Sequence, residues 1–153
     1  MNIKRTIAAG IGLALGCTLL TAAPASASQL LGRSCWGEQV TRCVAVYRDD
    51  SGWTSSTATV SDVSGGGDYE VAANRYGLQA WDGSTWVNWT SVYNQYDGWW
   101  PRTDYGLNPQ GINCGNGGAG FWVRARAYMT WRNAATNEML GGAWYYSDSV
   151  WCG

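Results

Sequence analysis

Histidine is absent from this 153-residue chain, and lysine occurs once, at Lys4. Without an imidazole no Ser-His or Cys-His nucleophile can be assembled, and beyond position 4 no amine is present to act as a base or to form a Schiff base. The missing histidine also argues against zinc, because the cysteines form no paired C-x-x-C knuckle that could replace it. No metal or other cofactor is expected. The longest apolar run, residues 7–20, falls short of the roughly 20 apolar residues that a membrane span needs. Amphipathic helical periodicity, coiled-coil heptads and repeats of fixed period are missing as well, which leaves strands.

What is present begins with an export signal. Lys4 and Arg5 precede the apolar run, and Ala25-Ser26-Ala27 supplies the small-residue pattern of a cleavage site, so residues 1–27 read as a secretory signal peptide and the mature protein as extracellular. Removing 27 of the 153 residues leaves 126, enough for one domain with its own core. Ten cationic residues become eight, all arginine, against eleven acids, a net charge of −3 that argues against nucleic acid as a partner. Arginine forks onto carboxylates and stacks on aromatic rings, and beside 11 Trp and 9 Tyr many of the arginines are expected over rings.

Cys17 leaves with the signal, and the remaining Cys35, Cys43, Cys114 and Cys152 are an even count in an exported small domain, hence two disulfides. Of the three connectivities, Cys35 with Cys43 and Cys114 with Cys152 is preferred. The first pair closes a short loop, and the second ties the last residues to the entrance of the chain's most regular strand.

That strand is residues 120–132, G-F-W-V-R-A-R-A-Y-M-T-W-R. Phe121, Val123, Ala125, Ala127, Met129 and Trp131 alternate onto one face, and Trp122, Arg124, Arg126, Tyr128, Thr130 and Arg132 onto the other. The first set is a core face; the second is either a solvated face or a binding surface. Around it, residues 43–48 read as a strand, 53–63 as an exposed strand, 69–73 and 76–82 as two arms of a hairpin around Asn74-Arg75, and 85–93 as a strand after a turn at Asp82-Gly83. Residues 94–120 look irregular. A turn at 133–137 returns 138–151 as an antiparallel partner; centring it on Ala135 puts Cys152 opposite about residue 118. The expected architecture is all-β: a single antiparallel β-sandwich or barrel-like domain, residues 35–153, stabilised by two disulfides and preceded by an N-terminal arm, residues 28–34.

For catalysis only a carboxylate pair remains available, and nearly every acid sits in a turn context where it serves the backbone, so no enzyme activity is expected. Binding is better supported. Eleven tryptophans exceed what one small core holds, and exposed Trp and Tyr beside Arg is the composition of an interface hot spot. The partner-binding candidates are Leu30 and Leu31 in the arm, Trp99 and Trp100 in the irregular segment, and Trp122, Arg124, Arg126, Tyr128 and Arg132 on the arginine face, with Tyr145-Tyr146 on the neighbouring strand. Flat rings also stack on sugars, and residues 81–89 look like the surface of a carbohydrate or cell-wall binding module. A glycan binder, though, has no need of two leucines ahead of its first cysteine.

The export signal, the short arm S-Q-L-L-G-R, one compact β domain and four mature cysteines together resemble, in layout, the small adaptor subunit of the umbrella toxin particles that bacteria secrete against competitors. The resemblance implies a non-catalytic connector that joins a lectin-like subunit to a long toxin-bearing subunit, with the arm, residues 28–33, inserted into the latter's repeats. A secreted protease or glycosidase inhibitor is a third reading, although no exposed loop announces itself as a substrate mimic.

Overall fold

The computed structural model describes residues 28–65, 67–114 and 120–153. The expected signal peptide, residues 1–27, lies outside them. The described chain is all-β: β1 Gln29–Trp36, β2 Val40–Arg48, β3 Trp53–Asp62, β4 Tyr69–Trp81, β5 Trp86–Asn88, β6 Tyr93–Asn94, β7 Thr103–Asn113, β8 Phe121–Asn133, β9 Met139–Tyr146 and β10 Val150–Cys152. They form two antiparallel sheets, a four-stranded one in the order β1-β2-β3-β7 and a six-stranded one in the order β10-β8-β4-β5, with β9 beside β8 and β6 beside β4. No helix among the described residues is long and apolar enough to cross a membrane.

The pleat of β8 behaves as its alternation requires. Val123, Ala125, Ala127 and Met129 are fully buried, in one cluster with Val44, Val46, Ala58 and Val60 from the facing sheet. Burying each valine contributes on the order of 1.5–3 kcal/mol. Tyr76, the largest fully buried side chain, lies against Gly106 of β7, where an added Cβ would overlap the phenol ring. Its hydroxyl donates to Gln95 Oε1 at 2.6 Å, and burial, foremost, pushes its pKa up to about 12.

Both expected disulfides are present, Cys35–Cys43 and Cys114–Cys152. The first joins residues directly opposite one another on β1 and β2, and so pins their register. Two such bonds are compatible with an oxidising, extracellular setting.

Several local expectations are corrected. The arm, residues 28–34, does not stand ahead of the β domain but belongs to it: Gln29 to Trp36 form β1, paired with β2 from Gln29↔Arg48 to Trp36↔Arg42. Leu31 packs against the core, Leu30 stays exposed, and Gly32 lets the backbone of residue 148 and the side chain of Val150 come close. Residues 53–63 are not an exposed strand; β3 is central, between β2 and β7, with Thr54, Ser56 and Thr57 buried. The irregular segment contains β7, an edge strand. Pro109 is tolerated there because it falls in the register shift between Asn108 and Ile112, where no ladder bond is required of it.

The supposed hairpin at Asn74-Arg75 is one continuous strand, β4, with a bulge at Asn74. The extra residue switches the inward set from Val71 and Ala73 to Tyr76, Leu78 and Ala80, so an unbroken strand reads as two arms. The partner of β8 is likewise two strands rather than one. β9 stops at Tyr146, Ser147 breaks the run with its hydroxyl accepting from Ala125 N–H, and β10 resumes with Cys152 opposite Phe121, not residue 118.

Candidate interaction face

The outer face of the six-stranded sheet is built on β8. With the odd positions 123–129 buried, the pleat turns Trp122, Arg124, Arg126 and Tyr128 outward. Adjacent strands bring side chains to matching places: β9 sets Tyr146 opposite Arg126 and Trp144 opposite Tyr128, β10 sets Trp151 opposite Trp122, and β4 sets Gln79 opposite Arg124 and Glu70 opposite Arg132.

The arginines stack. Arg124 lies 4.3 Å from the ring centroids of both Trp86 and Tyr146, and its Nε donates to Gln79 Oε1 at 2.9 Å. Arg126 lies 4.4 Å from Trp144, whose ring is 5.5 Å from Tyr128. Arg132 lies 4.6 Å from Trp99 and donates through Nε to Glu70 Oε2 at 2.6 Å. Trp122 and Trp151 meet edge to face at 5.4 Å. Each cation–π contact is worth about 0.5–1 kcal/mol when exposed and about 2 when desolvated, so the stacks hold these side chains in place before any partner arrives.

The charge on this face is unbalanced. Glu70 forms a salt bridge with Arg132, but among the described residues no carboxylate reaches Arg124 or Arg126. Arg126 Nε is buried without a hydrogen-bond partner among the described residues. Desolvation lowers the pKa of both guanidiniums; Tyr146 acts the other way on each, and Arg126 presses that of Arg124 further down. The protein therefore presents two partly desolvated cations to its surroundings, with no counter-ion among the described residues. At the Trp122 end of the face, Trp81, Trp86, Trp122 and Ser149 line a shallow cavity of about 280 Å³.

Three of the acids elsewhere serve the backbone. Asp49 Oδ1 accepts from the Ser51 hydroxyl and from the N–H groups of Ser51 and Trp53, and the hydroxyl bond foremost lowers its pKa. Asp82 Oδ1 accepts from the N–H groups of Thr85 and Ser84 and from the Ser84 hydroxyl, and is lowered likewise, Thr85 contributing most. Asp104 is buried and accepts from Ala73 N–H at 2.6 Å; burial raises its pKa. Among the described residues no group of three His, Cys, Asp or Glu side chains is placed to hold a metal ion.

The residues singled out from sequence divide into three groups. Trp122, Arg124, Arg126, Tyr128 and Arg132 share the outer face, and Trp99 joins them through Arg132. Trp100 stands beside the face, its backbone bridged to Val71 at the edge of β4 and its indole N–H donating to Asp97 Oδ1. Leu30 and Leu31 belong to the other sheet, on β1. Of the Tyr145-Tyr146 pair only Tyr146 faces outward. Tyr145 packs against the core and Trp36, beneath Arg42, which also lies 4.5 Å from the Trp131 ring and donates to the Tyr145 hydroxyl. Trp144 and Trp151 were not anticipated in the face; the alternation of β9 with Tyr146 signals the first, while the second depends on the re-registered β10. Set against models of known families, characterised proteins and solved structures, the chain matches none.

Proposed function

We propose that the mature chain is a secreted, non-catalytic module that docks onto other proteins through the outer face of its six-stranded sheet. Most specifically, it acts as an adaptor linking a lectin-like and a toxin-bearing subunit of a secreted antibacterial complex. The observation that carries the docking reading is the ladder on β8: arginines held against rings, two of them without a counter-ion among the described residues, on a protein whose net mature charge is negative. Aromatic and arginine anchors held rigid and partly desolvated are the anatomy of a protein hot spot. The signal peptide and the two disulfides fit an exported protein, and the adaptor role rests on the layout resemblance of arm, domain and cysteines.

Carbohydrate binding is the second reading, favoured by the exposed indoles Trp81, Trp89, Trp122 and Trp151. The stacks weigh against it, because a guanidinium already lies against Trp86, Tyr146 and Trp144, where a sugar ring would otherwise sit.

The test is affinity capture of the tagged mature protein from the culture supernatant of its own cells. Because residues 29–36 form a paired strand whose deletion would open the sheet, the arm is probed by Leu30→Glu at its exposed leucine. Recovery of large secreted repeat and lectin-like proteins with the wild type supports the adaptor role. Their loss with Leu30→Glu assigns the arm to the contact, and loss with Trp122→Ser assigns the face. Retention on cell wall or polysaccharide alone, with no protein recovered, would sink the proposal in favour of the glycan reading.

A further inference from the structure

On the face just described, two neighbouring arginines differ from the other arginines stacked on rings in this fold. Arg132 has Glu70, and Arg42 donates to the Trp36 carbonyl and the Tyr145 hydroxyl. Among the described residues Arg124 donates only to the neutral amide oxygen of Gln79, and Arg126 has a buried Nε with nothing to donate to. Neither guanidinium has a carboxylate within reach among the described residues, so an acid brought by a partner would be the counter-ion each of them lacks. The rings of Trp86, Tyr146 and Trp144 lie against the guanidinium faces, Gln79 takes Arg124 Nε and Arg126 Nε is buried, so the directions left for a ligand are the terminal NH2 groups, whose paired N–H bonds fit a carboxylate.

Spacing narrows the ligand further. Arg124 and Arg126 are two residues apart on one strand, so their side chains leave the sheet roughly 7 Å apart. An extended polypeptide with acidic side chains at alternate positions repeats at the same interval. Adjacent acids on an extended chain would point to opposite sides.

Resting on the protein-docking reading, we infer that the partner segment seated on this face is an extended, acidic stretch of polypeptide of the pattern Glu-x-Glu or Asp-x-Glu, whose two carboxylates accept from Arg124 and Arg126. The complementarity is electrostatic as well as geometric: the face is cationic on a chain that is otherwise net negative. An acidic segment is steered to this face and away from the rest of the surface.

The experiment uses the isotope-labelled mature protein and capped pentapeptides, Thr-Glu-Val-Glu-Thr against Thr-Gln-Val-Gln-Thr and the adjacent-acid isomer Thr-Glu-Glu-Val-Thr. The readout is the arginine Nε–H signals. The alternate-acid peptide is expected to shift the Arg124 and Arg126 signals saturably and to bind less well as salt rises. The glutamine peptide and either single variant, Arg124→Gln or Arg126→Gln, are expected to weaken the interaction by about tenfold or more. Equal binding of the glutamine and glutamate peptides, equal binding of the adjacent-acid isomer, or no shift at millimolar peptide would overturn the inference. So would preferential binding of oligogalacturonate, which carries the same carboxylates on a glycan. Capture from supernatant with the Arg124→Gln/Arg126→Gln double variant separates the two claims. Protein partners recovered undiminished by the double variant refute the acidic-segment inference alone, while no protein recovered even by the wild type refutes the docking reading beneath it.

Discussion

Arg126 is the side chain at which stability and binding are expected to pull in opposite directions. Its Nε is buried without an acceptor, its guanidinium lies 4.4 Å from the Trp144 ring, and no acid neutralises it among the described residues. An unmade buried donor costs about 1–3 kcal/mol. Methionine at this position keeps an unbranched, apolar stem over Trp144 and removes both the charge and the orphan donor, at the loss of a cation–π contact worth about 0.5–1 kcal/mol. The balance predicts that Arg126→Met stabilises the free protein by up to about 2.5 kcal/mol, a rise of up to about 10 °C in Tm for a domain of this size. Arg132→Met, which strands Glu70 and breaks the ion pair, is the matched control and should lower stability by up to about 1 kcal/mol. Differential scanning calorimetry on the oxidised proteins reads both. If Arg126→Met lowers Tm as much as Arg132→Met does, Arg126 is a structural keystone and the argument from an unsatisfied cation is wrong.

Other consequences follow from the core and the crosslinks. Burial raises the Asp104 pKa above its ordinary 3.8, so its contribution to stability is fully present below that value and is lost as pH rises through the folded one. Asp104→Asn keeps an acceptor for Ala73 N–H and should gain on the wild type between pH 4 and pH 7 in urea midpoints; an unchanged pH profile would count against the assignment. The disulfides should differ in worth: loop closure over 38 residues for Cys114–Cys152 against 8 for Cys35–Cys43 predicts losses of about 4 and about 2.5 kcal/mol on replacement by alanine, measurable by chemical denaturation. Gly106→Ala should cost about 1–3 kcal/mol by forcing a Cβ into the Tyr76 ring, and a neutral result would mean that Tyr76 has room to move.

How much of this was legible in the sequence depended on whether a residue's role is set along its own strand or across to another. The two faces of β8 and the D-G turn before β5 are written in local pattern, and the structure carries both. The disulfides were legible because a short loop and a strand entrance leave few alternatives. Where the period is interrupted, the pattern misled. The bulge at Asn74 shifts the phase of β4 and mimics a turn, and Pro109 with Gly106 and Gly111 disguises β7 as loop. With β7 disguised, β3 has no second neighbour in the pattern and reads as an exposed strand rather than a central one. β1 reads as an arm because its pairing depends on β2, with which it shares a disulfide but no hydrophobic repeat. At the site, the arginines and Tyr128 lie on one strand and could be grouped from sequence. Their companions Trp86, Trp144 and Trp151 arrive from three other strands, and only the cross-strand register brings them there.

The central claim, that the outer face of the six-stranded sheet is where another protein docks, is tested most directly by placing a photo-crosslinking phenylalanine analogue at Trp122, 45 % exposed on that face. The control places it at Tyr105, 59 % exposed on β7 of the other sheet. Both are irradiated in the culture of the secreting cells, and the adducts are identified by mass spectrometry. The account predicts a discrete adduct between position 122 and a secreted protein, with none from position 105. Adducts from position 105 alone, or polysaccharide as the only product at position 122, would contradict it.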